Sequence, residues 1–338
     1  MARRFLVLGL LVVTGALAVE AATQNPPAQT PPAQTAPRAG GGGRQGGRGP
    51  ALPPIDPPKE WLSPKRPKEL LEFGMMTWPE VYDAIHHQGK TVALYYAGGT
   101  EHRGPQNVNG GHTLMGREIA LGIARRLGNA IVLPIIPYSS NNASAQNTGT
   151  LGLTPEIEAM ITEQIAEQAI ATGFTTVVLL NDHGGSVGPN NTVATKLEAK
   201  YRAPEFAARN IHVFYADRVY KPAQDDYDKL LAERGLPVSS HAGIPDTSSM
   251  MYLGKGKDWV RTDLLKYAVT MGPGYVPVAA GAGRAAGPAD PNAPRVVPSG
   301  VSGDGRPSNE KYGKEAVEMK IDYAVKQIQA TMATFVKK

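Results

Sequence analysis

Short apolar runs and longer amphipathic stretches alternate along most of this chain. Residues 91–99 (TVALYYAGG), 129–138 (NAIVLPIIPY), 175–180 (TTVVLL) and 210–216 (NIHVFYA) concentrate apolar, largely β-branched and aromatic side chains over strand-like lengths. Between them the pattern turns helical over residues 112–127, from 155 to about 171, and over 190–203. Thr154 is placed to cap the second of these helices and Pro155 to occupy its first position, where a missing N–H costs nothing. Strands separated by helices argue for crossover units and a mainly parallel sheet, so the expectation is an α/β domain, open or doubly wound. Further on, residues 222–234 predict a polar helix, 247–253 a short apolar one and 311–336 a long amphipathic terminal helix. Residues 276–300, rich in Ala, Gly and Pro, predict a long surface loop.

The first part of the chain does not share this alternation. Arg3 and Arg4 precede an apolar run, Phe5 to Val13, and a small-residue site at Val19-Glu20-Ala21, so residues 1–22 read as a secretory signal and the protein as exported, periplasmic or extracellular. The run is short and interrupted by Gly9 and Gly15, which argues against a stable membrane span. Residues 23–58, mostly Pro, Gln, Ala, Gly and Arg, offer almost nothing apolar to bury and predict a disordered or extended tether. Residues 59–338 then suffice for one large α/β domain.

Composition narrows the chemistry. With no cysteine among 338 residues, disulfides, a thiol nucleophile and a thiolate-bound metal are excluded. The net charge of +5 owes much to Arg3, Arg4, Arg38, Arg44 and Arg48, all outside the expected fold, so nucleic-acid binding gains no support from it.

In open α/β sheets ligands sit beyond the carboxyl ends of the strands, and two post-strand loops here carry most of the reactive side chains. Glu101, His102, Arg103 and His112 follow the first strand; Asn181, Asp182 and His183, with Gly184 and Gly185, follow the third; a later loop adds His241 and Asp246. Glu, His and Asp on converging loops suit a divalent metal with an open position for water. His86 and His87 fall in a polar helix and should face solvent, and His212, inside a strand, should be packed.

A competing motif is Gly184-Gly185-Ser186-Val187-Gly188, which matches the nucleophile elbow G-x-S-x-G, with Asp217 and His241 in the order of a triad. The elbow needs Ser at the turn that ends the strand, whereas the strand pattern ends near Leu180 and Pro189 follows the motif. Ser186 is therefore the weaker nucleophile candidate, and a serine hydrolase the less favoured reading.

From Met76 onward the chain resembles the creatininase family of metal-dependent amidohydrolases. Residues 76–81 (MTWPEV) resemble its lead-in helix, 98–105 (GGTEHRGP) its G-x-x-E-Q-H-G-P strand end, and 148–153 (TGTLGL) its P-G-T segment. Residues 177–186 (VVLLNDHGGS), 241–251 (HAGIPDTSSMM) and 300–313 (GVSGDGRPSNEKYG) are similar to its N-G-H-G-G-N, H-A-G-x-x-E-T-S-x-M and G-V-x-G-x-P-x-x-A-x-x-E-K-G segments. The resemblance implies a three-layer α/β/α fold, a symmetric homo-oligomer and hydrolysis of a C–N bond in a small amide, cyclic or linear. The ligand set departs from the family: Glu101 and His183 are kept, but Arg103 and His112 stand where the family has His and Asp, and Gly185 where some members have Glu.

That pattern implies one divalent transition metal per chain, zinc foremost and manganese or iron as alternatives, on Glu101, His112 and His183. Asp246 would be a fourth ligand or a partner to the ligands. Arg103 would stand in for a second metal's charge, stabilising an oxyanion or holding a substrate carboxylate. His241 would be the general acid, Asp182 would orient or deprotonate the attacking water, and Gly184 and Gly185 would turn backbone N–H groups toward the substrate. The other reading open at this point is an inactive, creatininase-like ligand-binding protein.

Overall fold

The computed structural model describes residues 56–141, 147–270 and 299–335. The expected signal, most of the tether and most of the 276–300 loop lie outside the described residues. No helix among the described residues is long and apolar enough to cross a membrane.

The elements run α1 (Trp78–His86), β1 (Val92–Ala97), α2 (Gly111–Leu127), β2 (Ala130–Val132), α3 (Pro155–Thr172), β3 (Thr176–Asn181), α4 (Val187–Arg202), α5 (Pro204–Ala207), β4 (His212–Tyr215), α6 (Lys221–Glu233), α7 (Ile244–Leu253) and α8 (Glu310–Ala333). The four strands form one parallel sheet in the order β2-β1-β3-β4. Both central strands are buried along their whole length, as a sheet covered on two faces requires.

Side-chain alternation splits the core into two layers. Val92, Leu94 and Tyr96 of β1, with Val178 and Leu180 of β3, pack with α2 and α8 through residues such as Ile119, Ile123, Ile321 and Ile328. Their neighbours Ala93, Tyr95, Ala97, Val177 and Leu179 face the opposite way, against α1, α3 and α4 through Ile85, Ile170 and Leu197. The three-layer α/β/α arrangement thus follows from the period of two along each strand.

Local signals set the helix starts. Thr154 accepts the Ile157 N–H at the head of α3, and the Thr77 N–H is held by Glu80 at 2.8 Å in a capping box at α1. The second strand is shorter than the apolar run 129–138: after Val132, Pro134 and Pro137 can donate nothing to a ladder, and only single contacts such as Ile136 N–H to Tyr96 C=O continue. Helix α4 begins at Val187, with Pro189 accommodated in its first turn, and α7 begins at Ile244, which puts Asp246 in a helix rather than a loop.

The last helix lies unusually close to α7. A Cβ on Gly313 would come 1.9 Å from the Ser248 carbonyl oxygen, so only glycine permits the approach, and Ser248 Oγ accepts the Asn309 N–H at the helix head. Two turns on, this contact delivers Lys320 to the sheet's carboxyl edge.

Candidate metal centre

Strands β1 and β3 run side by side in parallel, with Ala97 opposite Asn181 in register. The chain leaves β1 toward β2 on one side and returns to β3 on the other, so the loops after β1 and β3 diverge from a crevice at a topological switch point. Glu101 comes from the first loop, His112 from the opening turn of α2 and His183 from the second loop.

These three side chains each bring a donor atom within 4.8 Å of the other two. Glu101 Oε1 lies 2.8 Å from His112 Nε2, and its Oε2 lies 3.2 Å from His183 Nε2. The two imidazoles meet edge to face, ring centres 5.3 Å apart. Burial works to raise the Glu101 carboxyl, but bonds from His112 and His183 outweigh it and hold the group well below the usual carboxylate range. For His112, burial and Arg103 disfavour the cation, while Asp182 and Glu101 on either side of the ring more than compensate and raise its pKa.

Donor chemistry supports a cation here. The His112 Nδ1–H is directed at Asp182 Oδ2, 3.2 Å away, so the neutral ring turns its Nε2 lone pair toward the Glu101 carboxylate, an arrangement that needs a proton or a metal between the two acceptors. His183 requires a change: its Nδ1 accepts the Gly185 N–H at 3.0 Å, and metal ligation at Nε2 would move the ring proton onto Nδ1 and displace that N–H.

The remaining site residues take places that differ in part from expectation. Asp182 is fully buried behind His112, one oxygen facing that ring and the other accepting from Lys320 Nζ, so both of its oxygens are already engaged by protein groups rather than turned to a water. Asp246 Oδ2 accepts the Ala242 N–H at 2.9 Å and lies 2.8 Å from Arg103 Nη2, which pairs it with Arg103 and leaves it out of the converging donor set. Burial raises the Asp246 carboxyl less than Arg103, His112 and Lys320 lower it. Arg103 has no exposed surface and reaches Glu101 Oε1 at 3.4 Å with Nη1, so it acts as an internal counter-charge and cannot hold a substrate carboxylate in this conformation. A Cβ on Gly111 would come within 2.8 Å of its Nε, so the head of α2 is shaped around the guanidinium.

His241 Nε2 donates to the His102 carbonyl at 2.7 Å, leaving Nδ1 unprotonated 3.4 Å from Glu101 Oε1. Burial and Arg103 lower its pKa, which favours the neutral ring. The Gly185 N–H is engaged by His183 and not turned to a substrate; the glycine is needed because a Cβ there would lie 1.7 Å from the Ser140 carbonyl oxygen. His102 packs its ring against Gly300. Among the described residues the buried Ser186 Oγ has no hydrogen-bond partner, and so no base beside it for nucleophilic attack. His86 and His87 are exposed and His212 is buried, as their positions in the pattern imply.

Two residues escaped sequence reasoning. Lys320 is buried against Asp182, and its only signal was a lysine on the inward face of the terminal helix, among Ala316, Val317, Ile321 and Ala324. Tyr220, at the head of α6, sets its hydroxyl 3.3 Å from the position a Gly184 Cβ would occupy, and nothing in the local pattern announced it. No group among the described residues hydrogen-bonds to that hydroxyl, and burial, followed by Asp182, Asp246 and Glu101, keeps it neutral.

The family model for creatinine amidohydrolase matches residues 74–328. The chain belongs to the creatininase family. Solved structures agree in fold: a creatinine amidohydrolase (creatininase) is 20% identical with a TM-score of 0.57, the match covering 78% of this chain and 98% of that one. A manganese creatininase is 19% identical over 78% of this chain and 99% of its own, again at 0.57. A putative creatinine amidohydrolase from Bacteroides fragilis NCTC 9343 is 16% identical, with coverages of 77% and 97% and a TM-score of 0.52. No curated protein matches the chain. Family membership and the Glu-His-His cluster together point to metal-dependent amide hydrolysis as the chemical class.

Proposed function

We propose that this protein is a mononuclear metal-dependent amidohydrolase acting on a small amide, cyclic or linear. The observation that carries the reading is the convergence of Glu101, His112 and His183 at the carboxyl ends of two adjacent parallel strands. Related creatininase structures include a manganese form and a variant complexed with creatine, which supports both a resident metal and a small polar substrate. When bound, a divalent ion such as zinc would supply an acidic water and polarise the amide carbonyl.

The protein's own groups supply the rest. Glu101, His112 and His183 would hold the ion, and the buried Arg103 contributes a fixed positive charge beside Glu101. His241, anchored through Nε2 to the His102 carbonyl, accepts a proton at Nδ1 from the attacking water and returns it to the departing nitrogen. The Tyr220 hydroxyl is free to hydrogen-bond a polar atom of the substrate next to Gly184.

The test is metal content by mass spectrometry on wild type, His112→Ala and His183→Ala prepared with zinc, manganese and iron supplied, followed by a screen of cyclic and linear amides with and without chelator. About one metal per chain, lost in both variants, together with chelator-sensitive turnover is the expected result. A wild type that takes up no metal would replace the hydrolase with the ligand-binding alternative.

A further inference from the structure

We propose that Lys320 is a positioning residue for the metal ligand His112, acting through Asp182, so that the terminal helix α8 is a working part of the metal centre. The inference rests on the mononuclear reading above.

Every link of the chain is on the inside of the protein. Lys320 Nζ donates to Asp182 Oδ1, Asp182 Oδ2 faces His112 Nδ1 at 3.2 Å, and His112 Nε2 faces Glu101 Oε1 at 2.8 Å. Lys320, Asp182 and His112 are all buried. A lysine on the apolar face of a helix and an aspartate beneath it would each be costly alone, and pairing makes both tolerable.

The pairing has a direction. Lys320 holds Asp182 by one carboxylate oxygen, so the other stays aimed at His112 Nδ1 and fixes the ring with Nε2 toward the ligand cluster. Without it, Asp182 is a buried carboxylate whose remaining partner is His112. With one oxygen no longer held, the carboxylate can turn about its own bond, and that rotation releases the ring. The Gly313 contact with Ser248 fixes the height of α8 against α7, so the lysine reaches Asp182 by the packing of two helices rather than by loop closure.

A purely structural ion pair would affect stability and leave the metal's affinity alone, which gives the discriminating readout. Zinc affinity is measured by competition with a chromophoric chelator on the full chain for wild type, Lys320→Met, Lys320→Arg, Asp182→Asn and the Asp182→Asn/Lys320→Met double variant, with circular dichroism to confirm folding. Lys320→Met and Asp182→Asn should each weaken zinc binding about 10- to 100-fold, the usual effect of removing a ligand's hydrogen-bond partner. Lys320→Arg should stay within a few-fold of wild type, and the double variant should be no weaker than Asp182→Asn, because the lysine has nothing left to act through. A folded Lys320→Met with wild-type affinity overturns the proposal. Should that variant fail to fold, an Asp182→Asn protein that binds zinc as tightly as wild type overturns it equally. A wild type that binds no zinc is a different failure and removes the metal reading itself.

Discussion

The Arg103 guanidinium lies 2.8 Å from the Asp246 carboxylate, with no part of the arginine exposed. Neutralising Asp246 leaves Arg103 with the longer 3.4 Å contact to Glu101, so the cost is at most the roughly 3–5 kcal/mol of breaking a fully buried pair. Asp246→Asn should therefore lower stability by up to that amount in denaturant unfolding while leaving metal content near one per chain. A stable variant stripped of metal would instead put Asp246 among the ligands.

Metal affinity should rise with pH. The His112 ring, flanked by Asp182 and Glu101, keeps a proton to higher pH than an ordinary imidazole, and a metal on Nε2 must displace it. As pH falls below that raised value, proton and metal compete, and zinc affinity should drop by about tenfold per pH unit. Chelator-buffered zinc titrations between pH 6 and 9 measure the slope, and a flat profile would mean that His112 does not ligate through the protonated nitrogen.

For His241, loss of the ring should affect turnover and not the metal. His241→Gln should reduce kcat about 10²- to 10⁴-fold, the usual worth of a proton-transfer group, with metal content unchanged. Loss of metal in this variant would make the Nδ1 that faces Glu101 a ligand atom.

Stability should carry its own pH signature from Asp228 on α6, whose carboxyl is pushed up to about 7 by burial, with Asp246 and Asp225 adding to it. The folded chain keeps this proton between the ordinary value of 3.8 and about 7 while the unfolded chain releases it, so the contribution is complete at low pH and is lost as pH rises to 7. Asp228→Asn, which has no proton to lose, should show a gain over wild type that is small near pH 4, grows to neutrality and then levels at about 1–2 kcal/mol after solvent screening. Urea unfolding at acidic, neutral and mildly alkaline pH reads it out, and an equal gain at every pH would mean that Asp228 is ionised throughout in the folded chain.

The elements were legible wherever burial left its mark on composition. TVALYY reads as a strand, TTVVLL as a buried one and Thr154-Pro155 as the opening of a helix, which is where β1, β3 and α3 lie. The stretch after Val132 misled because its apolar residues suggest a strand while Pro134 and Pro137 deny it a ladder. Glu101, His112 and His183 were recognisable as candidates from their loops and from the family resemblance. Lys320 and Tyr220 were not, because their partners lie far away along the chain on other elements.

By itself the sequence determined which chemistries this protein can hold: oxygen and nitrogen donors without thiolate, apolar strands that must be buried, and loops rich in His, Glu and Asp at their ends. Only the tertiary structure decided what each charged group does. Glu101, Asp182 and Asp246 are carboxylates of nearly equal intrinsic acidity, yet one faces two imidazoles, one is clamped between His112 and Lys320, and one balances Arg103. The parallel register of β1 with β3 and the close approach of α8 to α7 set those neighbours, and in a buried, low-dielectric site the neighbours decide which protonation state and which lone pair a side chain presents.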